Sequence, residues 1–141
     1  MKIDKYDFPD DLRYDSTHNW ARIEGAEVVQ GMTAFGAKLA GEIIYVEPVA
    51  LGRRVKQGQP LLSVESGKWV GRINATVGGE VVAFNNDLEW HAEAVNKDPY
   101  GKGWMVRLKP DDLDGDLGRL RQADNPAFRE LIESERRKYS L

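Results

Sequence analysis

Fourteen glycines cut this chain into short apolar or alternating runs, and that spacing selects many brief strands over long helices. The candidate strands are Trp20–Glu24, Ala26–Gly31, Gly41–Val46, Pro60–Glu65, Trp69–Asn74, Gly79–Phe84 and Trp104–Leu108. Strands this short become stable only when one face is buried against a partner layer. Two of them echo each other: Gly41-Glu42-Ile43-Ile44-Tyr45-Val46 is answered by Gly79-Glu80-Val81-Val82-Ala83-Phe84. The echo suggests two similar half-sheets about a pseudo-twofold axis, although Gly-Glu before a run of β-formers is also common strand-opening vocabulary. The expected fold class is mainly β, a flattened barrel or sandwich of two antiparallel sheets.

Two stretches break the β pattern. Thr33 can cap a short helix reaching Ala40, and Asn125 with Pro126 opens a longer one at about 125–138, whose Phe128, Leu131 and Ile132 share a face. Pro110–Asp116, with four aspartates, reads as a loop or short turn. Asp111, Asp112, Asp114 and Asp116 lack the glycine and terminal glutamate of a calcium loop in register, so they read as solvated charge. A length of 141 residues suits one compact domain, 1–141.

Composition removes several function classes. A net charge of −3 and a pI near 5.4 argue against a nucleic-acid partner, which needs a basic patch to displace counterions. There is no cysteine, so disulfides, thiolate metal sites and cysteine nucleophiles are excluded together, and any redox chemistry must be imported. His18 and His91 are the only histidines, with no metal-ligand spacing between them, and the carboxylates show no signature pairing for acid–base catalysis. The amino terminus lacks an apolar h-region, and no stretch approaches the ~18 apolar residues of a bilayer span. A cytoplasmic protein without a membrane partner is expected.

Leu61 to Ala75 reads as strand, tight turn, strand, with Lys68 at the tip. The turn is expected at Ser66-Gly67, where glycine accepts positive φ and serine can bond the local backbone. A hairpin tip pushes its side chain into solvent, where a modifying enzyme can close around it. Composition alone would leave Lys68 an ordinary solvated charge.

The chain resembles the H protein of the glycine cleavage system over roughly residues 8 to 133. The resemblance is carried by Tyr14 to Gly25, containing His18-Asn19-Trp20; by Gly31-Met32-Thr33; by Gly41 to Glu47, Gly52 and Val55; by Val64-Glu65-Ser66-Gly67-Lys68; by Gly79 to Asn85; and by Val95 to Trp104, containing Asp98-Pro99-Tyr100-Gly101. It implies a lipoyl-domain-like barrel-sandwich hybrid and a non-catalytic carrier with lipoic acid attached covalently to Lys68. The lipoyl-lysine would be a swinging arm that holds an intermediate near successive partner sites at high effective concentration. The resemblance also implies a lipoate ligase or lipoyl-assembly enzyme as partner, with Glu65, Ser66 and Gly67 near the arm and Glu80 as a further recognition charge. Glu80 also reads as an ordinary solvated strand-end acid.

The chain departs from that family beside the lysine. Where the family continues with small residues, serine and an acid, this chain has Trp69-Val70-Gly71-Arg72, and Asn19 stands where His18 is usually followed by glutamate. Trp69 would pack over the lipoyl stem, meet a partner, or fold onto its own sheet. His18 would serve the arm or be a hydrogen-bonded structural residue. These departures make the chain similar to the lipoate-binding proteins of heterodisulfide-reductase-like sulfur oxidation, whose arm would carry sulfur intermediates between a heterodisulfide-reductase-like complex and other enzymes. The alternative cargo is the aminomethyl group of glycine cleavage, with the glycine cleavage enzymes and dihydrolipoamide dehydrogenase as partners. A reading from another class is an unlipoylated docking module that uses the Trp69 hairpin. A carrier that must visit several active sites is most simply a monomer.

Overall fold

A computed structural model describes Met1–Leu141. An N-terminal hairpin of β1 (Lys2–Ile3) and β2 (Tyr6–Asp7) leads to β3 (Arg13–Tyr14), β4 (Asn19–Glu24) and β5 (Glu27–Met32). Then come α1 (Ala34–Ala40), β6 (Ile43–Val46), β7 (Arg54–Val55), β8 (Pro60–Ser66), β9 (Val70–Asn74) and β10 (Gly79–Phe84). A 3-10 turn at Asn86–Glu89, α2 (Ala94–Lys97), β11 (Val106–Pro110), α3 (Leu113–Leu117) and α4 (Pro126–Tyr139) complete the chain. The larger sheet runs β3-β4-β5-β11-β10-β7 and the smaller β6-β8-β9, and every pairing is antiparallel.

The sheets are open. The end strands of neither sheet pair with the other sheet, so of the two expected forms, flattened barrel or sandwich, the molecule takes the sandwich. Alternation along β4 and β5 sends neighbouring residues into different layers. Ala21 and Val28 join the main core between the two sheets, with Ile43, Val64, Ile73, Val81 and Leu108. Trp20 and Val29 point the other way, into a second core with Ile3, Phe8, Tyr14, Phe35, Phe128 and Ile132. There α4 and the N-terminal hairpin cover the outer face of the large sheet. Phe128 stacks on Tyr14 at 4.9 Å between centroids and meets Phe8 edge-on at 5.3 Å.

The repeated Gly-Glu pattern has structural content. One copy enters each sheet, and Ile43, Val46, Val81 and Phe84 all join the main core. Each copy carries a β-bulge at the same place, between Ile43 and Tyr45 and between Val81 and Ala83. A bulge turns two successive side chains outward, which is why Ile44-Tyr45 and Val82-Ala83 both break the alternation.

Several expectations on element limits are corrected. Gly41 and Glu42 lie outside a strand because Gly41 ends α1, its N–H donating to the Ala37 carbonyl at 3.0 Å. Three of the four Pro110–Asp116 acids are structural: α3 starts at Leu113, Asp112 caps it, Asp111 pairs with Arg54 at 2.6 Å, and the well-buried Asp116 carboxylate accepts from the Gly78 N–H at 2.8 Å, while Asp114 is exposed as expected.

Candidate functional site

The β8–β9 hairpin places Lys68 at its tip, exposed and in no ion pair. The turn is built differently from the expected one, since Gly67 does not have positive φ and a Cβ there would meet nothing. Ser66 holds the tip instead. Its buried hydroxyl donates to the Ala40 carbonyl at 2.6 Å, tying the hairpin to the end of α1, while its N–H donates to the Trp69 carbonyl at 2.7 Å.

Two glycines receive the side chains of the tip. The Lys68 stem runs over Gly41, where a Cβ would stand 2.7 Å from Cε, and Gly41 itself has φ of +92°. Trp69 turns to the opposite side and lies across Gly71, so closely that a Cβ at Gly71 would clash with the indole ring. The indole packs on its own sheet and still keeps 37% of its surface exposed. Trp69 also does not belong to β9, which begins at Val70.

Two grooves flank the tip. One, of about 490 Å3, is lined by Lys68, Lys38, Gly41, Glu42, Asn96 and Lys97. Asn96 shapes its floor, donating to the Gly41 carbonyl at 2.8 Å and accepting from the Ile43 N–H at 2.9 Å. The other, of about 290 Å3, brings together Trp69, Arg72 and His18 with Glu135 and Tyr139 of α4.

His18 is wedged in this second groove with a left-handed backbone (φ +71°), its ring edge-on to Phe35 at 5.3 Å. Its Nε2 stands 2.6 Å from Glu135 Oε2, although the contact is off-line for a hydrogen bond, and its buried Nδ1 has no partner. Burial holds the His18 pKa below the ordinary value against the opposing pull of Glu135 and Asp15. Asn19, in place of the expected acid, is fully buried and donates to Asp15 at 3.0 Å and to Thr17 at 3.1 Å, so it braces the loop and does not line the groove.

Of the remaining predicted residues, Glu65 and Arg72 stay on the hairpin and Glu80 lies apart. Glu65 is half-buried on β8, without an ion pair, opposite Tyr45 on one side and Val70 on the other. Arg72 is exposed on β9 opposite Ser63. Glu80 lies in the other sheet, 3.8 Å from Arg54, and is not part of the Lys68 neighbourhood. Sequence reasoning missed Asn96, Gly41 and Glu135 as shapers of the grooves. Asn96 and Gly41 lie within blocks that carried the family resemblance, whereas nothing in the sequence pairs Glu135 with His18.

Fold and tip together define the class: a β-sandwich scaffold that presents one lysine on a tied-down hairpin. Residues 12–133 match the family model described as glycine cleavage H-protein, and the chain belongs to that family. The glycine cleavage system H protein of Thermus thermophilus is 44% identical over 129 residues, covering 92% of this chain and 98% of its relative. Its counterpart in Acinetobacter baumannii is 43% identical over 105 residues, covering 74% and 85%. A crystal structure of the Mycobacterium marinum glycine cleavage system H protein superposes with a TM-score of 0.74 at 26% identity, covering 95% of this chain and all of the other. Proteins of this family are non-catalytic carriers of lipoic acid bound covalently to a lysine. The preference for a sulfur cargo gains no support from these relatives, which all carry the glycine cleavage name. The departures on which it rested are partly internal to the chain: Trp69 packs on Gly71, and Asn19 serves its own loop.

Proposed function

We propose that Lys68 is the lipoylated residue and that the chain works as a glycine cleavage H protein in the cytoplasm, its arm carrying the aminomethyl group between the glycine cleavage enzymes. The observation that carries this is the Lys68 amine itself, exposed and in no ion pair at the end of a hairpin held to α1 by Ser66. The residues present suit the group: Lys68 would hold it through an amide, and the exposed Gly67 leaves the approach open. Bound there, lipoate supplies the disulfide and dithiol chemistry that a cysteine-free chain lacks. The protein's own part is presentation. Ser66 and Asn96 fix where the arm is rooted, and tethering substitutes local concentration for diffusion. Partners on this reading are a lipoate-attaching enzyme, the glycine cleavage enzymes and dihydrolipoamide dehydrogenase, visited by a monomer.

Sulfur intermediates are a second reading of the cargo, favoured by one observation: Arg72 and the inward-turned Asn19 leave a cation where the family has acids beside the arm. The test begins with peptide mass spectrometry of protein from its native cells. A lipoyl adduct on the Lys68 peptide is expected, and an unmodified lysine would favour the docking-module reading. Holo-protein is then incubated with glycine decarboxylase, pyridoxal phosphate and glycine. Aminomethyl loading of wild type but not of Lys68→Arg is expected, and an adducted protein that glycine decarboxylase never loads would turn the assignment to sulfur.

A further inference from the structure

The bulge in β6 turns Ile44 and Tyr45 outward together, opposite Glu65, and Glu65 in turn faces Val70 across the β8–β9 pairing. Side chains directly opposite one another share a face, so these residues form one strip on the outer face of the small sheet, beside the Lys68 tip. The strip is apolar and uncovered: Ile44 is 63% exposed, Tyr45 47% and Val70 70%. At its centre Glu65 makes no ion pair. The second copy of the repeat is an internal comparison. It has the same bulge in the other sheet, yet places there the smaller, half-buried Val82 and Ala83. Only the copy next to the lysine exposes large apolar side chains.

We infer that this strip is the surface gripped by the enzyme that attaches lipoate to Lys68, a partner presenting an apolar patch with a cationic group opposite Glu65. The assignment rests on the reading of Lys68 given above. Reach selects this partner over later ones. The unmodified amine lies only a lysine stem from the backbone, so an enzyme acylating it has to press on the residues flanking the tip. Enzymes that act later meet the far end of a much longer arm. In the step itself the amine attacks the activated lipoyl carboxyl of a lipoyl adenylate. The amide bond forms, the acyl–phosphate bond breaks with AMP leaving, and the amine proton passes to solvent. Aromatic and aliphatic side chains of this kind form the buried core of recognition surfaces, where charges are depleted, so a carboxylate in their midst calls for a partner cation.

The experiment uses full-length apo-protein, lipoate, ATP and a purified lipoate ligase that modifies the wild type, with initial rates read by intact mass. The triple variant Ile44→Ser, Tyr45→Ser, Val70→Ser is expected to raise KM at least roughly tenfold while kcat stays within about twofold. Ile23→Ser, an exposed apolar residue on the large sheet, is expected to behave as wild type. A competition assay reads docking without chemistry: Lys68→Arg protein should inhibit wild-type lipoylation, and adding the three serines should weaken that inhibition by a similar factor. Thermal melts confirm that each variant is folded. An unchanged KM, an equal loss in Ile23→Ser, a slowing confined to later loading of the arm, or a wild-type dimer that the triple variant dissolves would each overturn the assignment. If no ligase modifies wild-type Lys68, the reading of the lysine falls and the strip with it; if wild type is modified and the triple variant equally well, the strip alone falls.

Discussion

A Cβ at Gly71 would clash with the indole of Trp69, so the two residues are a matched pair. Gly71→Ser alone is expected to dislodge the ring and cost ~1–3 kcal/mol of stability, as overpacking does. Trp69→Ala alone uncovers the edge strand at a smaller cost. Together they should be less destabilising than the sum by ~1 kcal/mol, a coupling read from denaturant melts of the four proteins in the cycle. A second residue-scale prediction concerns His18. Burial lowers its folded pKa, so the unfolded chain binds the proton more readily, and stability should fall as pH drops below the ordinary histidine value and through the depressed folded one. His18→Gln should flatten that part of the stability–pH curve, and an NMR titration should give the wild-type ring a midpoint below 6.5, its unperturbed value; a midpoint at or above it would sink the idea. Lys68 was legible in the sequence because family blocks surround it. The packing of Trp69 was not, since one sequence position could equally turn its ring to solvent, to the arm or back onto a glycine, and only the Gly71 contact shows which.

At the scale of elements, the longer apolar strands were readable and the short ones were not. β4, β8 and β10 gather apolar and β-forming residues over six or seven positions, enough for a strand signal to show. β1, β2, β3 and β7 have two residues each, too few for any period, and they exist because tertiary partners hold them. α3 is similar: Leu-Asp-Gly-Asp-Leu has poor helix propensity and reads as loop, but Asp112 caps it and Asp116 is drawn in by the Gly78 N–H. The sheets themselves are stitched by a buried polar residue that patterning would have placed in solvent. Gln30 of β5 donates to the Asn74 carbonyl at 2.7 Å and accepts from the Thr76 N–H at 2.8 Å and hydroxyl at 2.9 Å. Gln30→Leu keeps the volume but orphans these buried groups, and an orphaned buried polar group costs ~1–3 kcal/mol. The variant should therefore lose at least ~2 kcal/mol by urea denaturation, with Asn74 and Thr76 amides exchanging faster than in the wild type; a loss under ~0.5 kcal/mol would mean that water replaces the glutamine.

For the whole molecule the decisive fact is that two cores share one sheet. β4 and β5 give alternate residues to each, Ala21 and Val28 to the core between the sheets, Trp20 and Val29 to the core beneath α4. Neither core can lose those strands without exposing the other, so the expected behaviour is a single cooperative unfolding of residues 1–141 despite the three layers. A mutation at one end of the stack tests this. Phe128 of α4 is buried between Phe8 and Tyr14 and touches only the second core, and truncating such a ring costs ~3–5 kcal/mol. If the molecule is one unit, Phe128→Ala should lower the far-UV and tryptophan-fluorescence midpoints together, and should speed hydrogen exchange at Val81 and Leu108 of the first core by the factor its global destabilisation implies. If instead α4 and the N-terminal hairpin fray while Val81 and Leu108 stay protected as in the wild type, the sandwich is the independent unit and the second core is an attachment to it. In that case the groove of His18, Glu135 and Trp69 could open without disturbing the Lys68 hairpin. With one cooperative unit, its opening is tied to the stability of the entire carrier.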